Sequence, residues 1–349
     1  MTYSIVLGNV VAHKSIVISL LEKNFDIPNS ARFSWIYENH PAGPPLFSLL
    51  RHEESKKFVG IRALFPRNIL IEGRPVTAFI AGDFVVDKDH RSLVTARMLI
   101  KAAAAQCRTM DPCIILAVPN DKSGLVILRS GFKILASSPV MVCVLRTGRY
   151  LRRTLGKRVL ANLLAIPLDA ALRLRLVYFS LLESSQYLHE IISHFDERFE
   201  SLWANMGKGF SFIGQRDNLY LNWRIGECPE GRNQIFTLLC GREGPVLGYV
   251  SYSISKGRAS VTDLAFDGDW KNFRILMSRF CRYHSQLGTE SITLSFVCCD
   301  SLIQHLKKMG FMVRGGMKQV MYYPSSEQVD AAVYLHAGDW YLTPVDNDV

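Results

Sequence analysis

One order of elements occurs twice along this chain, and that repetition limits the possible folds more than any single motif does. Residues 57–67 read as a strand with a proline stop. Residues 68–73 and 74–86 read as a hairpin turning at Glu72-Gly73, rich in β-branched and aromatic side chains. An Ala- and Leu-rich helix is predicted over 92–108, a buried strand over 113–118, and a short helix over 120–130 stopped at Gly131. Residues 132–146 read as one further strand. Later, strands are predicted over 244–255 and 259–266 around the Lys256-Gly257 turn, and a helix over 270–287. A strand over 291–297 follows, then a helix over 300–309 closed by Gly310-Phe311 and a strand over 317–323. Asp83 and Asp263 fall at equivalent places, late in the strand before each long helix. A repeat this long is a duplicated domain and not a solenoid.

The 349 residues are enough for two domains of ordinary size. With 48% hydrophobic and 21% charged residues, the composition excludes a mainly disordered, collagen-like or coiled-coil chain. The boundaries expected are 1–147 for the first copy, 148–200 for a basic amphipathic helical connector, and 201–349 for the second copy. Within the connector, Leu151, Leu155 and Val159 recur every four residues. Arg152, Arg153, Lys157 and Arg158 occupy other faces, and Pro167 is expected to break the helix. A net charge of +10 favours acidic partners. The connector is suited either to an anionic membrane surface or to packing across the two copies with its charges in water. Eight cysteines without a C-x-x-C pair fit a reducing compartment. No cleavable leader and no uninterrupted apolar run of about 20 residues is evident. The expected location is therefore cytoplasmic, with attachment to the inner face of the membrane as an option.

The first copy resembles a Gcn5-related N-acyltransferase domain, and the two-copy layout resembles the tandem members of that superfamily, including Fem-type aminoacyltransferases. The segments 216–224 and 339–343 are similar to those of bacterial tandem acyltransferases. The fold class implied is α/β (α+β), with two mixed β-sheet domains in tandem joined by the helical connector. The superfamily's acyl-CoA loop, Arg/Gln-x-x-Gly-x-Gly/Ala, is matched by Arg91-Ser92-Leu93-Val94-Thr95-Ala96. A first helical turn has unpaired N–H groups and the positive end of the helix dipole, so it suits a diphosphate. Val94 departs from the pattern, because glycine there would let a phosphate approach without a Cβ in the way.

The resemblance implies an acyl-CoA site at Phe84, Val85, Val86, Arg91, Ser92, Leu93, Val94, Thr95, Ala96 and Asn120, with acetyl-CoA as the default donor and no metal. The thioester would lie between the strands of residues 81–86 and 113–118. Asp83 and Asn120 are the candidate catalytic residues, Asp83 as a general base whose apolar neighbours would raise its affinity for a proton. Many members of the superfamily protonate the leaving thiolate with a tyrosine. The matching positions here are Ile127 and Leu306, which cannot donate. In the second copy Asp267 and Asp269 would repel a diphosphate, so that copy is expected to shape the acceptor site, through Asp263, Trp223 and Trp340. No histidine spacing, Walker loop or nucleophile elbow marks another chemistry.

The reading is an N-acyltransferase that carries an acyl group to a primary amine of a small metabolite, sugar or amino acid. Acyl carrier protein is a further possible donor partner, and nucleic acid is disfavoured. Two alternatives stand beside it: a Fem-type transferase fed by aminoacyl-tRNA, and a catalytically silent binding protein of the same fold.

Overall fold

The structure, a computed structural model, describes residues 2–347 apart from 26–28, 111, 121–122, 181–185, 230, 232, 243 and 336–338. Sixteen strands are found among the described residues. In chain order they are β1 (Tyr3–Leu7), β2 (Leu46–His52), β3 (Phe58–Ile71), β4 (Arg74–Val86), β5 (Cys113–Ala117), β6 (Lys133–Ser138), β7 (Val140–Val144) and β8 (Tyr187–Ile192). There follow β9 (Phe212–Gly214), β10 (Gln234–Cys240), β11 (Val246–Ser255), β12 (Arg258–Phe266), β13 (Ser291–Ser295), β14 (Met312–Val313), β15 (Lys318–Pro324) and β16 (Trp340–Tyr341). The helices are α1 (Lys14–Asn24), α2 (Asn29–Phe33), α3 (Leu93–Arg108), α4 (Gly124–Leu128), α5 (Gly148–Leu155), α6 (Arg158–Ser180), α7 (Arg198–Met206), α8 (Asn218–Leu221), α9 (Trp270–Gln286), α10 (Asp300–Lys308) and α11 (Glu327–Leu335).

Two mixed sheets result. The first runs β1-β2-β3-β4-β5-β15-β6, with β9 and β16 attached beside β3. The second runs β8-β10-β11-β12-β13-β7-β14. The seven-strand orders correspond position by position, and within each the sixth place is taken by a strand from the other half of the chain; β9 and β16 also come to the first sheet from the second half. β15 lies between β5 and β6, pairing with both (Met321↔Ala117, Val320↔Ala136). β7 lies against β13 and β14 in the second sheet (Ile292↔Cys143, Met312↔Val142). The single strand predicted over 132–146 is thus two strands that part at Pro139 and serve different sheets. A proline has no N–H to give to either ladder, so the junction falls where pairing is weakest. Strands of both sheets end in tight left-handed turns. Glu72 (φ 50°) with Gly73 (φ 73°), and Lys256 (φ 50°) with Gly257 (φ 78°), supply the twist that a two-residue hairpin needs.

Two further expectations are corrected. Pro66 does not stop β3. It falls after β2 has ended its pairing (Leu46↔Leu64) and before β9 begins (Ile69↔Gly214), so its missing N–H interrupts no ladder. Pro167 does not break the connector but lies inside α6. The break falls at Gly156, whose φ of 67° closes α5. Of the stripe Leu151, Leu155 and Val159, Leu155 and Val159 are exposed, Val159 at 74%.

The halves meet at a reciprocal pair. Trp35, in a π-helical turn over Ser34–Glu38, stacks on Trp223, in a like turn over Asn222–Gly226, with ring centroids 4.7 Å apart. Each indole N–H donates to the other's main-chain carbonyl, at 2.9 and 3.1 Å. One apolar cluster takes in both halves, including Tyr37 and Phe47 as well as Tyr249 and Leu264.

Candidate active site

β4 and β5 pair in parallel from Thr77↔Cys113 to Ile80↔Leu116 and no further. β4 runs on to Val86, while β5 ends at Ala117. A bulge accompanies the parting: Ile61 faces Val85 and Ala63 faces Gly82, so Arg62 alone opposes Asp83 and Phe84. Asp83 takes φ 41°, a left-handed conformation that aspartate tolerates better than most residues. A bulge bends a strand and sharpens its twist, which swings the end of β4 away from its neighbour. The gap is a cavity of about 340 Å³. Ala81, Gly82, Asp83 and Phe84 form one wall, Ala117, Val118, Pro119 and Asn120 the other, and Arg32, Arg62, Ser123 and Ile127 close it.

Asp83 is buried in this wall, and both of its oxygens are engaged. Arg32 meets it through two nitrogens at 2.9 and 3.0 Å, and the Tyr37 hydroxyl donates at 2.7 Å. That arrangement departs from the free carboxylate expected of a general base. Asp83 holds Arg32 against the cavity and pins the bulge. The Arg62 guanidinium stacks on the Phe84 ring at 4.8 Å. Among the described lining residues, the charged groups are the Arg32 and Arg62 guanidiniums and the Asp83 carboxylate. Asn120 lines the cavity, and its Oδ1 accepts from the Ser123 N–H at 3.0 Å just before α4. Ile127 sits in the lining as an aliphatic side chain, so the α4 position that carries a tyrosine in the resembling superfamily offers no proton here.

The start of α3 is less open than the sequence suggests. Ser92 and Thr95 form a reciprocal capping box: Ser92 Oγ accepts from the Thr95 N–H at 3.1 Å, and Thr95 Oγ1 accepts from the Ser92 N–H at 3.0 Å. The Ala96 N–H is bonded to the Ser92 carbonyl. Of the amides from 92 to 96, those of Leu93 and Val94 are left without an acceptor among the described residues. Val94 points to solvent, 66% exposed. Arg91 does not reach over the turn. Its Nε donates to the Val86 carbonyl at 2.7 Å and its Nη2 to Asn24 Oδ1 at 3.1 Å, which ties the end of β4 to α1. Val85 and Val86 are buried core residues.

The second sheet repeats the bulge but not the cavity. Ser251 faces Asp263 and Tyr252 faces Val261, while β12 pairs with β13 only from Arg258 to Ser260. The chain's own later segment fills the parting. Leu342 and Val297 exchange main-chain hydrogen bonds at 2.9 Å, and Tyr341 Oη donates to the Leu264 carbonyl at 2.5 Å. Thr343 Oγ1 donates to Asp263 at 2.6 Å. Arg216 binds both Asp263 and Asp346, and Arg67 binds Asp346 at 2.7 Å. Burial alone would depress the Arg216 pKa, but the two carboxylates outweigh it and hold it well above its ordinary value. Burial would raise Asp346, yet Arg216 and Arg67 bring it below its ordinary value. Burial, and then Asp263, push Tyr249 well upward.

The acceptor-site expectation is therefore corrected for all three residues. Asp263 is fully enclosed in this network, Trp223 stacks on Trp35, and Trp340 stacks on Phe212 with centroids 3.4 Å apart. None of the three lines the cavity at the β4–β5 parting. Sequence reasoning missed Arg32, Tyr37 and Arg62. The matched tryptophans were the available signal: Arg32 lies three residues before Trp35, on the segment that returns to the bulge.

No family model matches the sequence, and no curated protein matches it. Solved structures do match. A conserved protein of unknown function from Enterococcus faecalis, a probable N-acyltransferase, is 11% identical with a TM-score of 0.68, covering 94% of this chain and 74% of that one. A GCN5-related N-acetyltransferase from Anabaena variabilis is 12% identical with a TM-score of 0.64, covering 93% and 73%. The N-myristoyltransferase of Saccharomyces cerevisiae, solved with bound myristoyl-CoA, is 12% identical with a TM-score of 0.54, covering 92% and 82%. At these identities the shared property is the fold, an α/β arrangement of mixed sheets of the Gcn5-related kind. The likeness spans both sheets, since it extends over more than nine-tenths of the chain.

Proposed function

We propose that this chain is a duplicated Gcn5-related N-acyltransferase that transfers an acyl group from acyl-CoA to a primary amine, and that it does so at the parting of β4 and β5. The observation that carries the reading is the contrast between the sheets: the same bulge opens a cavity in the first and is filled by the chain itself in the second. An acyl thioester supplies an electrophilic carbonyl and a thiolate leaving group. The parting offers β4 main chain beyond Ile80 that no strand pairs with on its β5 side, where N–H groups can receive the developing oxyanion. The amine forms the C–N bond as the C–S bond breaks. With Ile127 in the lining, the thiolate takes its proton from water or from the attacking nitrogen, which gives one up as the amide forms. Asp83 acts by position, holding Arg32 in the wall.

The diphosphate end fits the α3 turn only in part, through the amides of Leu93 and Val94, and Arg91 lends charge from behind. A second cavity of about 700 Å³ shares Val118, Pro119 and Asn120 with the first, and Leu125, Leu128 and Met317 give it apolar walls. That space favours an acyl chain longer than acetyl.

Thermal unfolding with acetyl-, octanoyl- and palmitoyl-CoA tests the reading. A ligand at 100 times its Kd stabilises by about 2.7 kcal/mol. We expect a rise of a few degrees with the longer thioesters, and loss of that rise in Ser123→Trp, which fills the lip of the cavity. No shift with any thioester would leave the catalytically silent reading in its place.

A further inference from the structure

We propose that α5 and α6 form an interfacial device that seats the protein on an anionic lipid bilayer. The proposal rests on the orientation of α6 and stands independently of the acyltransfer reading. A helix on a soluble protein turns its apolar side inward. α6 does the reverse. The stripe it turns toward α9 and the body of the protein is narrow and small: Ala161 and Ala165 are buried, and Asp169 accepts from both the N–H and the hydroxyl of Thr147 at 2.7 Å. Its opposite side carries Val159, Leu163, Ile166 and Leu174, which are 61–74% exposed. On a helical projection these lie within about a quarter turn of one direction, with Pro167 and Ala170 beside them. These apolar side chains run from Val159 to Leu174 along α6, and at about 1.5 Å per residue the face extends for roughly 22 Å.

The charge pattern selects the occupant. Residues 148–180 hold seven Lys and Arg against one acidic residue, and that residue, Asp169, faces inward. Arg152, Arg153, Lys157, Arg158 and Arg173 are exposed on the same two helices. Apolar side chains flanked by exposed cations match the boundary between acyl chains and anionic headgroups. A second copy of the chain fits worse, because a two-fold contact would set the same cations against themselves. No helix among the described residues is long and apolar enough to cross a membrane, so the geometry is one of lying on the surface. From α5, Tyr150 holds Arg314 over its ring at 5.3 Å. Three residues on in the chain, Met317 lines the second cavity.

Co-sedimentation with vesicles tests this. The full chain is expected to pellet with equimolar phosphatidylglycerol/phosphatidylcholine vesicles, to bind pure phosphatidylcholine at least about tenfold more weakly, and to be released at about 1 M salt, where the screening length is about 3 Å. Leu163→Glu/Leu174→Glu alters exposed positions only. It should lower vesicle affinity by at least about tenfold while leaving the circular dichroism and the response to acyl-CoA unchanged. Arg152→Glu/Arg153→Glu should lose the preference for anionic lipid. Equal binding by wild type and the leucine variant overturns the proposal, as does absence of wild-type binding to either vesicle. A dimer in sedimentation velocity that dissolves in the leucine variant would assign the face to a second copy instead.

Discussion

At the scale of single residues, two histidines set how this fold responds to acid. His40 is buried against Trp223, and its Nδ1 accepts from the Ala42 N–H at 3.1 Å. Burial first, then the charges of Arg67 and Arg224, lower its pKa to about 3. Burial lowers His284 to about 4. Both groups bind a proton more readily in the unfolded chain, near pH 6.5, than in the folded one. The unfolded state therefore gains protons first as pH falls, and folding stability declines from about pH 6.5 downward. By pH 5 each histidine accounts for a loss of about 2 kcal/mol, in a window above the titration of ordinary carboxylates. Urea unfolding from pH 7.5 to 5 should show that decline, and His40→Asn should remove about half of it. A stability flat over this range would refute the assignment.

At the scale of elements, the bulge in β4 is the feature on which the cavity depends, and its buried Arg32–Asp83 pair can be tested directly. Removing one member of a buried ion pair costs about 3–5 kcal/mol, because the other is left uncompensated. Arg32→Met and Asp83→Asn should each lower stability by that order, and the double variant should recover much of the loss. The coupling between them is the quantity to measure, in a double-mutant cycle of urea midpoints. Additive losses would mean that the two side chains do not act on each other. This pair also marks how far local sequence reaches. The hairpin at Glu72-Gly73, the helix over Leu93–Arg108 and the repeated element order were legible, because turn chemistry and periodicity are local. Asp83 was visible as a strand-end carboxylate, but its partner Arg32 lies 51 residues away on an element that no periodicity announced. The capping box of Ser92 and Thr95 was also within reach: the same two side chains that start the helix occupy one of its free amides. What the apolar side of the connector meets was left open between a membrane surface and the two copies, because hydrophobic periodicity records that a face is apolar and not what it meets.

At the scale of the whole molecule, the exchanged strands decide what can fold alone. A run of apolar residues such as 132–146 states that it will join a sheet, but not which sheet. Strand choice is a long-range matter, settled only when both sheets exist. In the outcome, residues 1–147 supply β1 to β7 yet lack β15, the strand that joins β5 to β6. They also carry β7, whose partners β13 and β14 lie beyond residue 290. The halves are further bound by the stacked tryptophans and by the Arg67–Asp346 pair, which links β3 to the segment that fills the second parting. Expressed alone, residues 1–147 would expose two sheet edges around the gap and one unpartnered strand, the arrangement that promotes edge-to-edge aggregation. The expected result is an insoluble or uncooperative fragment. Full-length protein should unfold in one transition by both tryptophan fluorescence and far-ultraviolet circular dichroism, since neither sheet is complete without the other half. Supplying residues 186–349 in trans should restore solubility to the fragment. A soluble 1–147 with its own sharp unfolding transition, or two separated transitions in the whole chain, would show that the exchange does not interlock the sheets.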